Sequence, residues 1–172
     1  LLSVTMAAYK VAPCAISILE GQGDELFREL RSHRLDLIVS NYPAQLAEGV
    51  KLYSKSVGKL PVSVYGAEKF KDLKRAFPKS LNGKPFVLPT IHSKLRHDLN
   101  HFFNLNDIQT TPIAETQDTG LQKLLAEFGI GLAPFSEVKN FKEKNLVKLG
   151  RLEGVYEEVW LTSAQRKMEN PI

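Results

Sequence analysis

The stretch Ala114 to Pro134, AETQDTGLQKLLAEFGIGLAP, constrains the fold more than any other part of the chain. It reads as a strand, a polar turn, an amphipathic helix, a glycine corner and a second strand stopped by proline. Leu121, Leu124, Leu125 and Phe128 fall at i, i+3, i+4 and i+7, so they share one helix face, and that face is predicted to be buried. Thr116 and Asp118 can cap the helix start, because a side-chain oxygen there accepts from N–H groups with no partner inside the helix. Gly129 stands one residue past the last apolar position, where a left-handed residue commonly closes a helix. Ile130 to Ala133 is a short apolar run, and Pro134 removes the next ladder donor, so a brief strand is predicted between them. This half of a βαβ unit turns its helix N-terminus toward the carboxyl end of the first strand, where open α/β sheets bind ligands.

The remainder of the chain is read in the same terms. Ile16 to Glu20 (ISILE) predicts a strand, and Gly21-Gln22-Gly23 a turn. Asp24 is the expected N-cap of a helix carrying Leu26, Phe27 and Leu30 on one side. The run LDLIVSN, ending at Asn41, is apolar without strict alternation and predicts a buried parallel strand, which completes a right-handed βαβ unit. Gly49 to Val57 and Leu60 to Tyr65 are β-like, and the pattern leaves open whether they pair with each other or pass between lobes. A charged helix over Ala67 to Ala76 and a turn at Asn82-Gly83 follow, then a strand from Phe86 to Leu88. Next come a helix from Ser93 to Leu105, with Leu95, Leu99, Phe102 and Phe103 on one face, and a strand from Ile108 to Glu115. Beyond Pro134 a helical turn (Ser136 to Phe141) precedes strands at Leu146 to Leu149 and Val155 to Thr162. The fold class is therefore α/β, with two lobes joined by two crossings.

A chain of 172 residues is long enough for one core or two small lobes. Cys14 is its only cysteine, so no internal disulfide forms and cysteine-rich metal sites are excluded. The net charge of +4 suits an acidic partner. Yet the cations are dispersed, and their densest run, Lys69 to Lys79, alternates with Phe70, Leu73, Ala76 and Phe77 as a solvated helix would. Direct nucleic-acid binding by this stretch of protein is not expected. No apolar run approaches a membrane span. Leu1 to Tyr9 reads as the end of an apolar helix already under way, and MENPI stops where another could begin, so a piece of a longer protein is expected.

Catalytic motifs are missing. His97-Asp98-Leu99-Asn100-His101 imitates the HExxH spacing of zinc proteases, with Asp a methylene short of the usual Glu. At 100° per residue, however, the two histidines fall about 200° and 240° from Leu95, opposite the apolar face, where a closed zinc site cannot form. There is no G-x-S-x-G, P-loop, GxGxxG or CxxC. Glu157-Glu158 would point to opposite faces of a strand, and Glu115 with Asp118 could approach a ligand or cation. No enzyme and no cofactor are expected. What remains is three helix starts at strand ends: Gln22-Gly23-Asp24, Thr90 to Ser93, and Thr116 to Asp118. Each offers free N–H groups, the positive end of a helix dipole and small polar side chains.

Taken in order, these segments resemble the effector-binding domain of LysR-type transcriptional regulators. The likeness rests on Glu20-Gly21-x-x-x-x-Leu26 followed by LDLIVS, on SLNGKPFVLP, on the corner GIGLAP and on RLEGVYEEVWLTS. FVLPTIHSKLRHDLNHFF, AETQDTGLQKLLAEFGIG and LGRLEGVYEEV are similar to the subgroup of sodium/proton-antiporter activators. The resemblance implies two Rossmann-like lobes of the type 2 periplasmic-binding-protein-like kind, truncated at both ends. Lobe I would be Leu1 to Lys59 with Arg151 to Ile172, lacking the family's first strand and last helix, and lobe II would be Leu60 to Gly150. It implies an allosteric effector domain, binding a small molecule or ion between lobes. Its expected site residues are Gln22, Gly23, Asn41, Thr90, Ile91, His92, Ser93, Thr116, Gln117 and Asp118. The family often places a hydroxyl where Gly23 stands, whereas here only backbone N–H and Gln22 could serve. The subgroup implies sodium or alkaline stress as the signal, with Glu115 and Asp118 as cation candidates. The resemblance further implies an upstream winged helix-turn-helix on promoter DNA, a homodimer or homotetramer, and a cytoplasmic location. The competing reading is a periplasmic solute receptor of the same fold, which predicts an upstream secretory signal.

Overall fold

The computed structural model describes residues 9–11, 14–45, 51–137 and 145–165. Of the expected helix end at Leu1 to Tyr9 all but Tyr9, and most of the turn at Ser136 to Phe141, lie outside the described residues; Ser136 itself closes a strand. In chain order the elements are α1 (Gly23–Arg31), β1 (Ile38–Ser40), β2 (Leu52–Gly66), 3-10 helices at Glu68–Ala76 and Lys79–Leu81, β3 (Pro85–Pro89), α2 (Lys94–Leu105), β4 (Thr111–Thr116), α3 (Thr119–Glu127), β5 (Ala133–Ser136) and β6 (Val147–Ala164). The chain divides into two compact units, Leu1–Gly58 with Glu158–Ile172 and Lys59–Glu157. The long strands β2 and β6 each run from one unit into the other. Neither Gly58 nor Pro61 interrupts β2, and neither Gly150 nor Gly154 interrupts β6.

In the first unit, α1 buries Phe27 and Leu30 against Ile38 of β1 and Ala164 of β6, with Leu26 packed alongside. β1 pairs antiparallel with β6, Ile38 opposite Thr162 and Ser40 opposite Trp160. Two expectations fail here. Ile16 to Glu20 forms no strand: Ile16, Ile18 and Leu19 are exposed, and among the described residues no ladder partner reaches them. A strand needs a neighbour to take its backbone groups, so an apolar run alone does not make one, and the predicted parallel βαβ unit is not formed. Asp24 is not the N-cap either. The helix begins at Gly23, with Gln22 in the cap position and no side chain bonding the free N–H groups.

The second unit is built on parallel strands β3 and β4, joined by α2 and matched from Pro85 opposite Thr111 to Pro89 opposite Thr116, with a bulge between Phe86 and Val87. Leu132 extends this sheet, its N–H donating to Pro85 O (2.8 Å) and its carbonyl accepting from Val87 N (2.8 Å). α2 lays Leu95, Leu99, Phe102 and Phe103 into a core with Val62, Val64, Phe86, Leu88 and Leu132. The 3.6-residue period alone predicts that burial. The charged segment before it is a 3-10 helix, Glu68–Ala76, with no buried residue. Its Phe70 and Leu73 pack against the core only half-buried, so packing there is shallower than along α2.

The opening stretch folds as a strand–helix–strand, but its helix is turned. Gln122 and Ala126 of α3 are buried, whereas Leu121, Leu124 and Phe128 are 44%, 50% and 80% exposed. Gln122 Nε2 donates to Val87 O (3.0 Å) and Pro134 O (3.2 Å), two carbonyls on strands that need a donor there. Burying that amide and the small Ala126 rotates the apolar stripe outward by about one residue's 100°. Gly129 closes the helix at φ +73, as its position predicts. β5 starts at Ala133, where a strand was expected to end, and Pro134 lies inside it, opposite Val64. β5 is an edge strand in the order β1-β6-β2-β5, and there the missing N–H of a proline costs no ladder bond.

Candidate functional site

The parallel register of β3 and β4 determines what their carboxyl ends place side by side. Because Pro89 stands opposite Thr116, the loop Thr90–Ile91–His92–Ser93 emerges beside the loop Thr116–Gln117–Asp118. Each loop opens a helix. Ser93 Oγ accepts from Arg96 N (3.1 Å) at the start of α2, and Asp118 Oδ1 accepts from Gly120 N (2.7 Å) and Leu121 N (3.2 Å) at the start of α3. Thr116 Oγ1 accepts from Asp118 N (3.0 Å) and tightens the second turn. Ile91, His92, Gln117 and Asp118 are exposed; Thr90, Ser93 and Thr116 are half-buried.

Arg96 ties the two loops together. It is only 8% exposed, and its Nη1 donates both to Pro89 O (2.8 Å) and to Glu115 Oε1 (2.8 Å), while Nε donates to Asn100 Oδ1 (3.1 Å). A buried guanidinium needs such partners, and here they are the last carbonyl of one strand and a carboxylate near the end of the next. Sequence reasoning passed over Arg96. Its signal was a cation directly beside the buried Leu95 in an otherwise amphipathic helix.

One oxygen of each carboxylate offered to a cation, Glu115 Oε1 and Asp118 Oδ1, is already engaged. Glu115 is paired with Arg96, and Asp118 is engaged by two backbone donors. Among the described residues no group of three His, Cys, Asp or Glu side chains could hold a metal ion. The protons of Ser93 and Thr116 remain available, because each hydroxyl accepts here without donating, and Thr90 adds a third hydroxyl. This loop pair is a donor-rich surface suited to a small organic anion.

The first unit holds the other sequence candidates. The carbonyl of Gln22 accepts from Leu26 N (3.0 Å), while its side chain leaves the helix start uncapped. A Cβ added at Gly23 would stand 1.5 Å from the hydroxyl of Tyr42, so glycine is required for that phenol to reach the start of α1. The Tyr42 ring packs edge-on against Phe27, at 5.9 Å and 65°. Asn41 is exposed beside it. Tyr42 too escaped sequence reasoning, since nothing in NYP signals that its ring folds back over a glycine. An open depression of about 480 Å³ lies in the second unit at the far end of α3, lined by Lys69, Glu127, Phe128 and Gly129, and it includes none of the strand-end loops.

Comparison with known proteins places these features in context. Residues 13–172 match the sequence profile of the LysR substrate binding domain. The transcriptional activator protein NhaR of Escherichia coli (strain K12) is 26% identical over 162 residues, covering 92% of this chain and 53% of NhaR. The chain thus spans about half the length of the curated relatives it matches. Among solved structures, the cofactor-binding domain of the Cbl transcriptional regulator superposes with a TM-score of 0.74 at 16% identity, covering 98% of this chain and 75% of that one. The effector binding domain of QuiR in complex with shikimate gives a TM-score of 0.66 at 14% identity, covering 99% and 83%.

Proposed function

Because the chain belongs to the LysR substrate binding domain family and shares its type 2 periplasmic-binding-protein-like fold, we propose that it is the effector-sensing regulatory domain of a transcription factor. One observation carries the reading of the site: β3 and β4 end in register, so two polar helix starts lie together and expose hydroxyl donors. Donors at positive helix ends favour an anion, and the QuiR domain, of like fold, is complexed with the carboxylate shikimate. The proposed effector is therefore a small organic acid, bound at Thr90, Ser93 and Thr116. Glu115 gives one oxygen to Arg96 and Asp118 one oxygen to the start of α3, which supports an anion over a sodium ion at these loops. Gln22, Gly23, Asn41 and Tyr42 form the first unit's candidate surface.

The domain acts by differential affinity: an effector that prefers one conformation shifts the population toward it. Promoter contact is assigned to a DNA-binding domain outside this chain, in the cytoplasm, and no catalytic role is proposed. No helix among the described residues is long and apolar enough to cross a membrane. A panel of small carboxylates at constant ionic strength, read by thermal shift and calorimetry, tests the reading. At least one acid is expected to bind and raise Tm, and Thr90→Val to weaken it about tenfold without altering the unliganded Tm. Response to Na⁺ over K⁺ with none to any acid would overturn it.

The outward stripe Leu121, Leu124 and Phe128 supports a homo-oligomer formed in part through α3, since contiguous exposed apolar surface marks interaction sites. Sedimentation velocity is expected to show Leu124→Glu dissociating at concentrations where the unaltered protein self-associates. Equal sedimentation of the two would remove α3 from the contact.

A further inference from the structure

The histidines of HDLNH have no part in the core or in the strand-end loops, and the fold leaves them side by side. α2 runs from Lys94 to Leu105 and buries Leu95, Arg96, Leu99, Phe102 and Phe103, which turns His97 and His101 to the opposite side, where both are exposed. Residues four apart on a helix lie one above the other, with Cβ atoms about 6 Å apart. Two imidazoles so placed reach a common ion at metal–nitrogen distances of about 2.0–2.1 Å. We propose that His97 and His101 form a two-imidazole chelate for a divalent transition-metal ion on the outer face of α2.

The surroundings favour it. The cation nearest in helical spacing, Lys94, is neutralised by Asp98 (2.6 Å), so no free positive charge on this helix opposes an incoming ion. The backbone beneath the pair is held: Ser93 caps the helix, His97 N donates to Ser93 O (3.3 Å), and Arg96 pins the same turn to Pro89 and Glu115. A chelate on a fixed helix forgoes little conformational entropy when it closes.

Ligand type selects the ion. Imidazole nitrogen suits Cu²⁺, Ni²⁺ and Zn²⁺, tightest for Cu²⁺, whereas Na⁺, Mg²⁺ and Ca²⁺ seek oxygen. With two protein ligands the remaining positions are open to water or to a donor from another molecule. This is the composition of a labile, exchangeable site, unlike the closed four-ligand sites that hold structural zinc. It is independent of the proposed effector surface.

The test uses the purified protein and CuCl₂ alone, read by calorimetry and by electron paramagnetic resonance, with ZnCl₂ as a second probe. One Cu²⁺ per chain is expected, with a spectrum showing two equatorial nitrogens. His97→Ala and His101→Ala are each expected to weaken that site at least tenfold, and His92→Ala to leave it unchanged. Because both positions are exposed, the alanine variants keep the fold, which circular dichroism verifies. Binding unmoved by either substitution, or a single-nitrogen spectrum in the unaltered protein, would overturn the proposal.

Discussion

Gln122→Glu is expected to destabilise the second unit by roughly 3–5 kcal/mol at neutral pH, an effect that should fade as the pH is lowered toward 4. The side chain is 3% exposed, and its amide N–H groups face the carbonyl oxygens of Val87 and Pro134 at 3.0 and 3.2 Å. A carboxylate in that place has no proton to give and lies against two acceptors. It must bind a proton to fold, so its folded pKa rises above the unfolded value. For an acid shifted upward, the penalty is absent below the unfolded pKa and grows as the pH rises through the interval between the two values, by about 1.4 kcal/mol per pH unit. Gln122→Leu separates the two effects. It leaves both carbonyls without their donor at a cost of about 2 kcal/mol, with no added pH dependence. Urea unfolding at pH 5 and pH 7.5 distinguishes the variants, and equal destabilisation of Gln122→Glu at both would disprove the buried-charge account.

Glu137 behaves in the opposite sense. Its carboxylate accepts from Arg151 Nε (3.0 Å) and Nη2 (3.2 Å), Lys148 Nζ (2.6 Å) and Ser63 Oγ (2.5 Å), and these donors, Arg151 foremost, hold its pKa at about 2. Because the folded value is depressed, the stabilisation is fully present above the unfolded pKa of about 4.3 and is lost as the pH falls through about 2. Full conversion of the depression corresponds to roughly 3 kcal/mol. Lys148 and Arg151 are 41% and 46% exposed, so solvent screening reduces the expected contribution to about 2 kcal/mol. Glu137→Gln should lose that amount at pH 7 and almost none near pH 2. Matching acid-unfolding curves for Glu137→Gln and the unaltered protein would refute the assignment.

How far the sequence foretells this molecule depends on whether the apolar pattern and the buried pattern coincide. In α2 they do, and both its inward residues and its start at Ser93 follow from the 3.6-residue period and the cap. In α3 they part. Four large apolar residues outvote a glutamine in any periodicity count, yet the strand carbonyls beneath need the glutamine's two N–H groups. That need arises only once β3 and β5 are side by side, so it is tertiary information. The same limit hides ISILE, whose apolar character is β-like but whose strand requires a partner. It also hides the continuity of β2 and β6, because Gly and Pro end strands by default and are carried through only when neighbours hold the ladder. At the site, the loop positions were legible from Pro89-Thr90 and from Thr116 to Asp118, since turn residues after apolar runs mark strand ends. Arg96 and Tyr42 were not, because each acts on a residue distant in sequence.

The division of the chain into Lys59–Glu157 and two flanking pieces has a consequence in time. The second unit is one continuous segment and can finish folding as soon as it has been synthesised. The first unit cannot, since β1 pairs with the far end of β6 and Ile38 must wait for Thr162. During translation Phe27, Leu30 and Ile38 emerge before the second unit and remain without their closing strand until β6 has left the ribosome. The unit begun first is thus the unit completed last, and its apolar face is what a nascent-chain chaperone would meet.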